Sequence, residues 1–265
     1  MRDIDDSKAP LLDHLIELRR RLLWCVLAVS VCFVFAYVEA DTIFALLIRP
    51  FARALEHRGA ASGQLIYTKL YEAFFTKIRV ALNAAFFLAF PVLANQLWGF
   101  VAPGLYRKEK QALLPFLLAT PVLFIMGGAL AYFVAMPTAI GFFLGFQEQS
   151  GNVALNALPA IGDYLSFVLT FIWGFGIAFL LPVLLMLLET AGVVQRKDLV
   201  AGRRYAIVAA FAVAAVLTPP DVVSQFTLAI PLMLLYELAL FGMLLTGRRR
   251  AREASRGGSS LPAPQ

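Results

Sequence analysis

The chain reads as an all-α, polytopic membrane protein, and three features of its sequence say so. Of its 265 residues 60% are hydrophobic and only 15% charged, with a mean hydropathy of +0.77. Soluble domains carry about 45–50% apolar residues, and a core of this size has no room for the excess. The uncharged runs 80–101 and 164–188 are solid, which suits helices and not the two-residue alternation of barrel strands. At about 20 apolar residues per crossing, the length accommodates six or seven spans with short loops and no sizeable soluble domain.

Taken in order, Leu11, Leu15, Leu18 and Leu22 recur at helical spacing and predict an amphipathic helix running into a first span over 22–38. The polar, acidic start over 1–9 lacks a basic leader region, so this span is expected to be its own insertion signal. Residues 39–70 read as a mixed loop with Pro50, Gly59 and Gly63, holding a short amphipathic stretch over 43–55. The second span covers about 80–98. Lys77 and Arg79 beside it imply that its helix projects beyond the membrane or that both side chains snorkel. Span three is 112–135, which Met136 and Pro137 are expected to end because proline cannot continue the hydrogen-bond ladder. A loop over 136–162 leads to span four, 163–188, with Pro182 inside it.

A basic link over 195–204 precedes span five, 205–217, whose 13 residues make about 20 Å of helix against a hydrocarbon core of about 30 Å. Pro219 and Pro220 stop it, and span six, 222–245, carries Pro231 and Glu237. The membrane domain is therefore expected over 1–246. The tail over 247–265, basic and then rich in Ser, Gly and Pro, reads as disordered. Lys and Arg collect at the N-terminus, at 107–110, at 196–204 and in the tail, while loops 136–162 and 218–225 contain neither. The positive-inside rule then puts both termini in the cytoplasm, which requires an even number of crossings and agrees with six.

Composition also excludes functions. The net charge of +6 sits in short clusters beside apolar runs and not on a domain face, so nucleic acid is not an expected partner. His14 and His57 are the only histidines and fall on opposite sides of the membrane in this topology, which rules out a zinc site or a histidine-based triad. With no phosphate-binding lysine motif either, no cofactor, metal or enzymatic activity is expected. Cys25 and Cys32 lie seven residues apart on one helix, about 10 Å along its axis and beyond disulfide reach.

Carboxylates beside or inside the membrane remain: Glu17, Glu109, Glu189, Asp221 and Glu237. Buried charge is costly unless paired or used, so each has a functional and a structural reading. Glu17 can pair with Arg20 or Arg21 one turn on. Glu109 can be a surface acid between Lys108 and Lys110, and Asp221 can cap the helix of span six. Glu237 can pair with the backbone or with another helix.

Particular strings carry more. The segment from His14 through Glu17-Leu18-Arg19 to Leu22 is one, and Phe90-Pro91 through Phe100 and Val101-Ala102-Pro103-Gly104-Leu105-Tyr106 to Glu109-Lys110 is another. With Tyr164-Leu165-Ser166-Phe167 to Phe175-Gly176, and Leu217-Thr218-Pro219-Pro220-Asp221-Val222 with Ser224-Gln225, they resemble the TatC family, the receptor core of the twin-arginine protein translocase. The resemblance covers nearly all of 10–245 in order. It implies six helices in a concave, glove-like bundle in the bacterial cytoplasmic (inner) membrane. It further implies recognition of twin-arginine signal peptides on folded precursors, and export driven by the proton motive force with single-span TatA and TatB type partners, together with self-association in the receptor complex.

By position the resemblance assigns signal-peptide binding to Glu17, Glu109, Leu18, Arg19, Phe100 and Pro103. It assigns translocation or partner contact to Pro50, Leu180, Asp221 and Gln225. Leu180 is a departure, since the family usually has a polar residue, most often Glu, two before this proline; Glu189 lies roughly 13 Å further along the helix and is too far to replace it. The competing function is a proton-coupled secondary transporter of a small solute, which would show internal repeats and mid-membrane ionisable groups; no repeat is present, and Glu237 is the deepest acid expected.

Overall fold

The computed structural model describes residues 5–56, 65–101, 110–145, 149–150, 153–154, 159–190, 192–218 and 221–257. The expected amphipathic helix and first span are one uninterrupted helix, α1, Asp5–Val38. Leu22, Val31 and Val34 are each 60% or more exposed, as side chains facing lipid must be. Against α3, Glu72–Val101, it buries the small Ala36, which together with Ala40 just past its end clusters with Ala81 and Ala85. Small side chains let two membrane helices approach closely, where dispersion contacts replace a missing hydrophobic drive.

Between them the loop expected over 39–70 holds a full amphipathic helix, α2, Ala40–Glu56, which buries Leu47, Pro50, Phe51 and Leu55. Lys77 pairs with Asp41 of α2 at 2.8 Å, so the charged start of α3 is occupied by a protein partner. Glu72 fastens the same end. Its Oε2 accepts from Thr68 N at 2.6 Å, Thr68 Oγ1 at 2.9 Å and Lys69 N at 3.2 Å, while its Oε1 accepts from Gly162 N at 2.8 Å.

Span three does not end at Met136 and Pro137. α4, Lys110–Leu130, passes through a π turn, Ala131–Ala135, into α5, Met136–Leu144. The wider turn lets Met136 N–H reach Ala131 O and restarts the helix with Pro137 in its first turn. There a missing N–H is no loss and the fixed φ suits the helix. The loop expected over 136–162 is correspondingly shorter, and it contains a small hairpin of β1, Gln149–Ser150, and β2, Val153–Ala154.

The fourth crossing is two helices, α6, Ile161–Ala178, and α7, Leu181–Thr190, with the break at Phe179 and Leu180 and Pro182 in the first turn of α7. α4 crosses α6 where Gly127 meets the backbone of Phe175 and Gly176. Phe124, Phe171 and Phe175, all fully buried, fill the space around the crossing.

The basic link contains α8, Arg196–Ala201, followed by α9, Arg203–Leu217, and α10, Val222–Gly257. α10 continues past the boundary expected at 246, so the segment expected to be disordered from 247 is helical to Gly257. Among the described residues five helices are long and apolar enough to span a membrane, and the 15-residue α9 is a shorter sixth. Its end, Leu217, packs at Gly174, about 20 Å along α6 from Ile161.

Candidate functional site

The end of the bundle that carries Arg21, Gln96 and Trp98 gathers the first group of expected residues. Glu17, half-buried on α1, takes Arg21 one turn on: its Oε1 accepts from Nη2 at 2.6 Å and Nε at 3.0 Å. Arg21 is held from the other side by α3, its Nη1 lying 3.4 Å from Gln96 Oε1 and 3.5 Å from Gln96 O. Gly99 makes room for it, since a Cβ there would stand 2.9 Å from Arg21 Cζ. Glu17 Oε2 accepts no hydrogen bond from any described residue. Leu18 and Arg19 are exposed beside it, and Phe100 is half-buried near the end of α3. Glu109 and Pro103 lie outside the described residues.

Above this end opens an apolar cavity of about 730 Å³ between α3, α6, α7 and α9, with Leu180 in its lining. Trp98 Nε1 donates to Thr120 Oγ1 at 2.9 Å and Tyr236 Oη to Leu199 O at 2.8 Å, so the polar atoms at its margin are already paired. Its lining holds no carboxylate, lysine, arginine or histidine among the described residues. Glu237, expected as the deepest acid, is instead half exposed and paired with Arg203 at the start of α9, 2.7 Å away. It belongs to the basic end of the bundle and not to mid-membrane.

Pro50, Asp221 and Gln225, expected in translocation or partner contact, make structural contacts. Pro50 has no N–H for the Leu46 carbonyl, and the Tyr132 hydroxyl takes that carbonyl at 2.7 Å, tying α2 to the π turn. Asp221, 4% exposed, caps α10: its Oδ2 accepts from Ser224 N at 2.6 Å. Gln225 Nε2 donates to Phe211 O at 3.2 Å, joining α10 to α9.

The structure also builds a polar group around Arg79, which the sequence reading takes only as a projecting or snorkelling side chain. Arg79 Nη1 lies 3.0 Å from Ser166 Oγ, and Asn83 donates to Arg79 O at 2.8 Å while accepting from Trp173 Nε1 at 2.9 Å. The signal was present as Arg79 and Asn83, one turn apart on an otherwise apolar helix face.

Fold and cavity together define a multi-pass, all-helical membrane protein built around an open apolar face. The family model for Sec-independent protein translocase protein (TatC) matches residues 13–231, and the chain belongs to that family. A Sec-independent protein translocase protein TatC from Magnetococcus marinus is 49% identical over 251 residues, covering 94% of this chain and 90% of the relative. One from Escherichia coli is 38% identical over 251 residues, covering 94% of each. A crystal structure described as the twin-arginine translocase receptor TatC matches with a TM-score of 0.70 at 37% identity, covering 88% of this chain and 98% of that one. The chain is thus a component of a protein translocase.

Proposed function

We propose that this chain is the receptor and translocon core of a twin-arginine translocation system, a non-enzymatic subunit of the bacterial inner membrane with both termini in the cytoplasm. It binds the paired arginines of a precursor's signal peptide and works with TatA and TatB type partners and the proton motive force. The observation that carries the reading is the Glu17 carboxylate. One of its oxygens holds a guanidinium, that of Arg21, and the other accepts no hydrogen bond from any described residue. A guanidinium meets a carboxylate oxygen with planar, directional charge-assisted N–H donors, while lysine presents a single point charge, so a preference for arginine follows. Glu109 supplies the second carboxylate.

A precursor bearing two consecutive signal-peptide arginines is expected to copurify with the chain from membranes, and to be lost when both are changed to lysine. Equal recovery of the two precursors rejects the reading. The solute-transporter reading draws no support from a cavity lined by apolar side chains with Glu237 outside it.

A further inference from the structure

The end of the bundle away from Arg21 carries two arginines that no acid answers. Arg49 and Arg53 are exposed, one turn apart on α2, and neither pairs with a carboxylate among the described residues, although Glu56 lies one turn beyond Arg53. Arg53, in the last turn, complements the helix dipole, but Arg49 sits a full turn too early for that. With Pro50 and Ala54, Arg53 forms one wall of a cavity of about 370 Å³, and the π turn and α5 form the other with Tyr132, Phe133, Pro137 and Gly141. The charges of both arginines reach the Tyr132 hydroxyl, which places Arg49 at the rim. Depth fixes what this cavity faces. α2 hangs from the spans by two carbonyls, Leu46 O taking the Tyr132 hydroxyl at 2.7 Å and Leu47 O the Tyr164 hydroxyl at 2.8 Å. Tyr164 is three residues, about 5 Å, inside the start of the span Ile161–Thr190, the level at which tyrosines meet lipid headgroups. Phe133, 68% exposed within the span Leu117–Leu144, faces lipid beside the cavity.

We infer that this cavity binds one anionic phospholipid, its phosphate held by Arg49 and Arg53 and an acyl chain laid along Phe133 and Pro137. Charge and polarity select the occupant together. Two unanswered guanidiniums call for an anion, and their planar donors match phosphate oxygens. The rest of the lining, Pro50, Ala54, Phe133, Pro137 and Gly141, gives a free phosphate ion nothing to bond and suits hydrocarbon. Room for the chain opens at Gly141, where a Cβ would meet nothing within 4 Å. The inference needs only that the chain is embedded in a membrane, and it does not rest on the receptor reading.

The test uses the full chain with Phe133→Trp as reporter, in vesicles where brominated phosphatidylglycerol replaces phosphatidylcholine stepwise. Bromine quenches a tryptophan that its lipid touches, and the same titration without the reporter is subtracted to remove Trp24, Trp98 and Trp173. Phosphatidylglycerol is expected to be preferred at the site about 30-fold, or roughly fivefold for each arginine. Arg49→Gln and Arg53→Gln should each lose about fivefold and the pair all of the preference, while the two lysine replacements together should keep most of it. Gly141→Leu fills the cavity and leaves both charges, so it should also remove the preference, which general attraction of anionic lipid to a basic helix would not do. No preference in the reporter chain overturns the inference, as does one that survives the double Gln change or is indifferent to Gly141→Leu. So does release of the lipid by inorganic phosphate but not by chloride at equal ionic strength, which would make this a site for a free anion. A reporter that neither lipid quenches overturns it too, because a second copy of the chain would then cover the cavity.

Discussion

Replacing Asp221 with Ala removes the acceptor for Ser224 N, a 2.6 Å bond at a site where Asp221 is 4% and Ser224 0% exposed. Losing an N-cap destabilises a helix by about 1 kcal/mol, and leaving a buried donor without a partner costs about 1–3 kcal/mol; the two descriptions overlap, so roughly 2 kcal/mol is expected. Asp221→Asn keeps an acceptor oxygen and should lose far less. Ser224→Ala is the internal control, because Ser224 Oγ is buried without a hydrogen-bond partner among the described residues. Its removal should leave stability unchanged or raise it. Hydrogen exchange reads this directly: amides at the start of α10 should exchange about 30-fold faster in Asp221→Ala and at the original rate in Ser224→Ala. Equal acceleration in the Asn and Ala variants would show that the carboxylate's charge, not its capping oxygen, matters, and would refute the reasoning.

Other expectations are as sharp. A Cβ at Gly127 would stand 2.9 Å from Gly176 Cα, backbone against backbone, so Gly127→Ala should destabilise the α4–α6 crossing by about 1–3 kcal/mol in thermal unfolding. Arg21→Gln frees Glu17 from an i,i+4 pair of about 0.3–0.5 kcal/mol, so a twin-arginine peptide should bind about twofold more tightly in a fluorescence titration. With α9 only 15 residues long, spin labels at Tyr205 and Thr218 should both report an interface, the bilayer thinning to meet them; a label deep in hydrocarbon would exclude thinning.

Much of the fold was legible because membrane helices announce themselves by length and apolarity. The continuity of α1, the shortness of α9 and the Asp221 cap all follow from local pattern. What failed depends on geometry that no local pattern encodes. Pro137 looked like a stop because a proline breaks an α ladder, yet a π turn one step earlier makes it a start. Glu237 looked deep because apolar residues flank it, but α9 is too short to leave Arg203 far away. The Glu72 knot joins residues 90 apart in sequence, and the Arg79–Ser166 bond needs α3 and α6 side by side. Glu17 was legible as a pair with Arg20 or Arg21; that its Oε2 accepts no hydrogen bond from any described residue was not.

The most direct test of the receptor account is the affinity of a twin-arginine signal peptide, and of its twin-lysine counterpart, for the full chain in nanodiscs, with and without the Glu17→Gln and Glu109→Gln pair. In the unaltered chain the arginine peptide should bind more tightly by about 1.5–3 kcal/mol, a factor of roughly 10 to 150, and the double variant should bind both peptides equally weakly. An arginine preference that survives in the double variant would contradict the account.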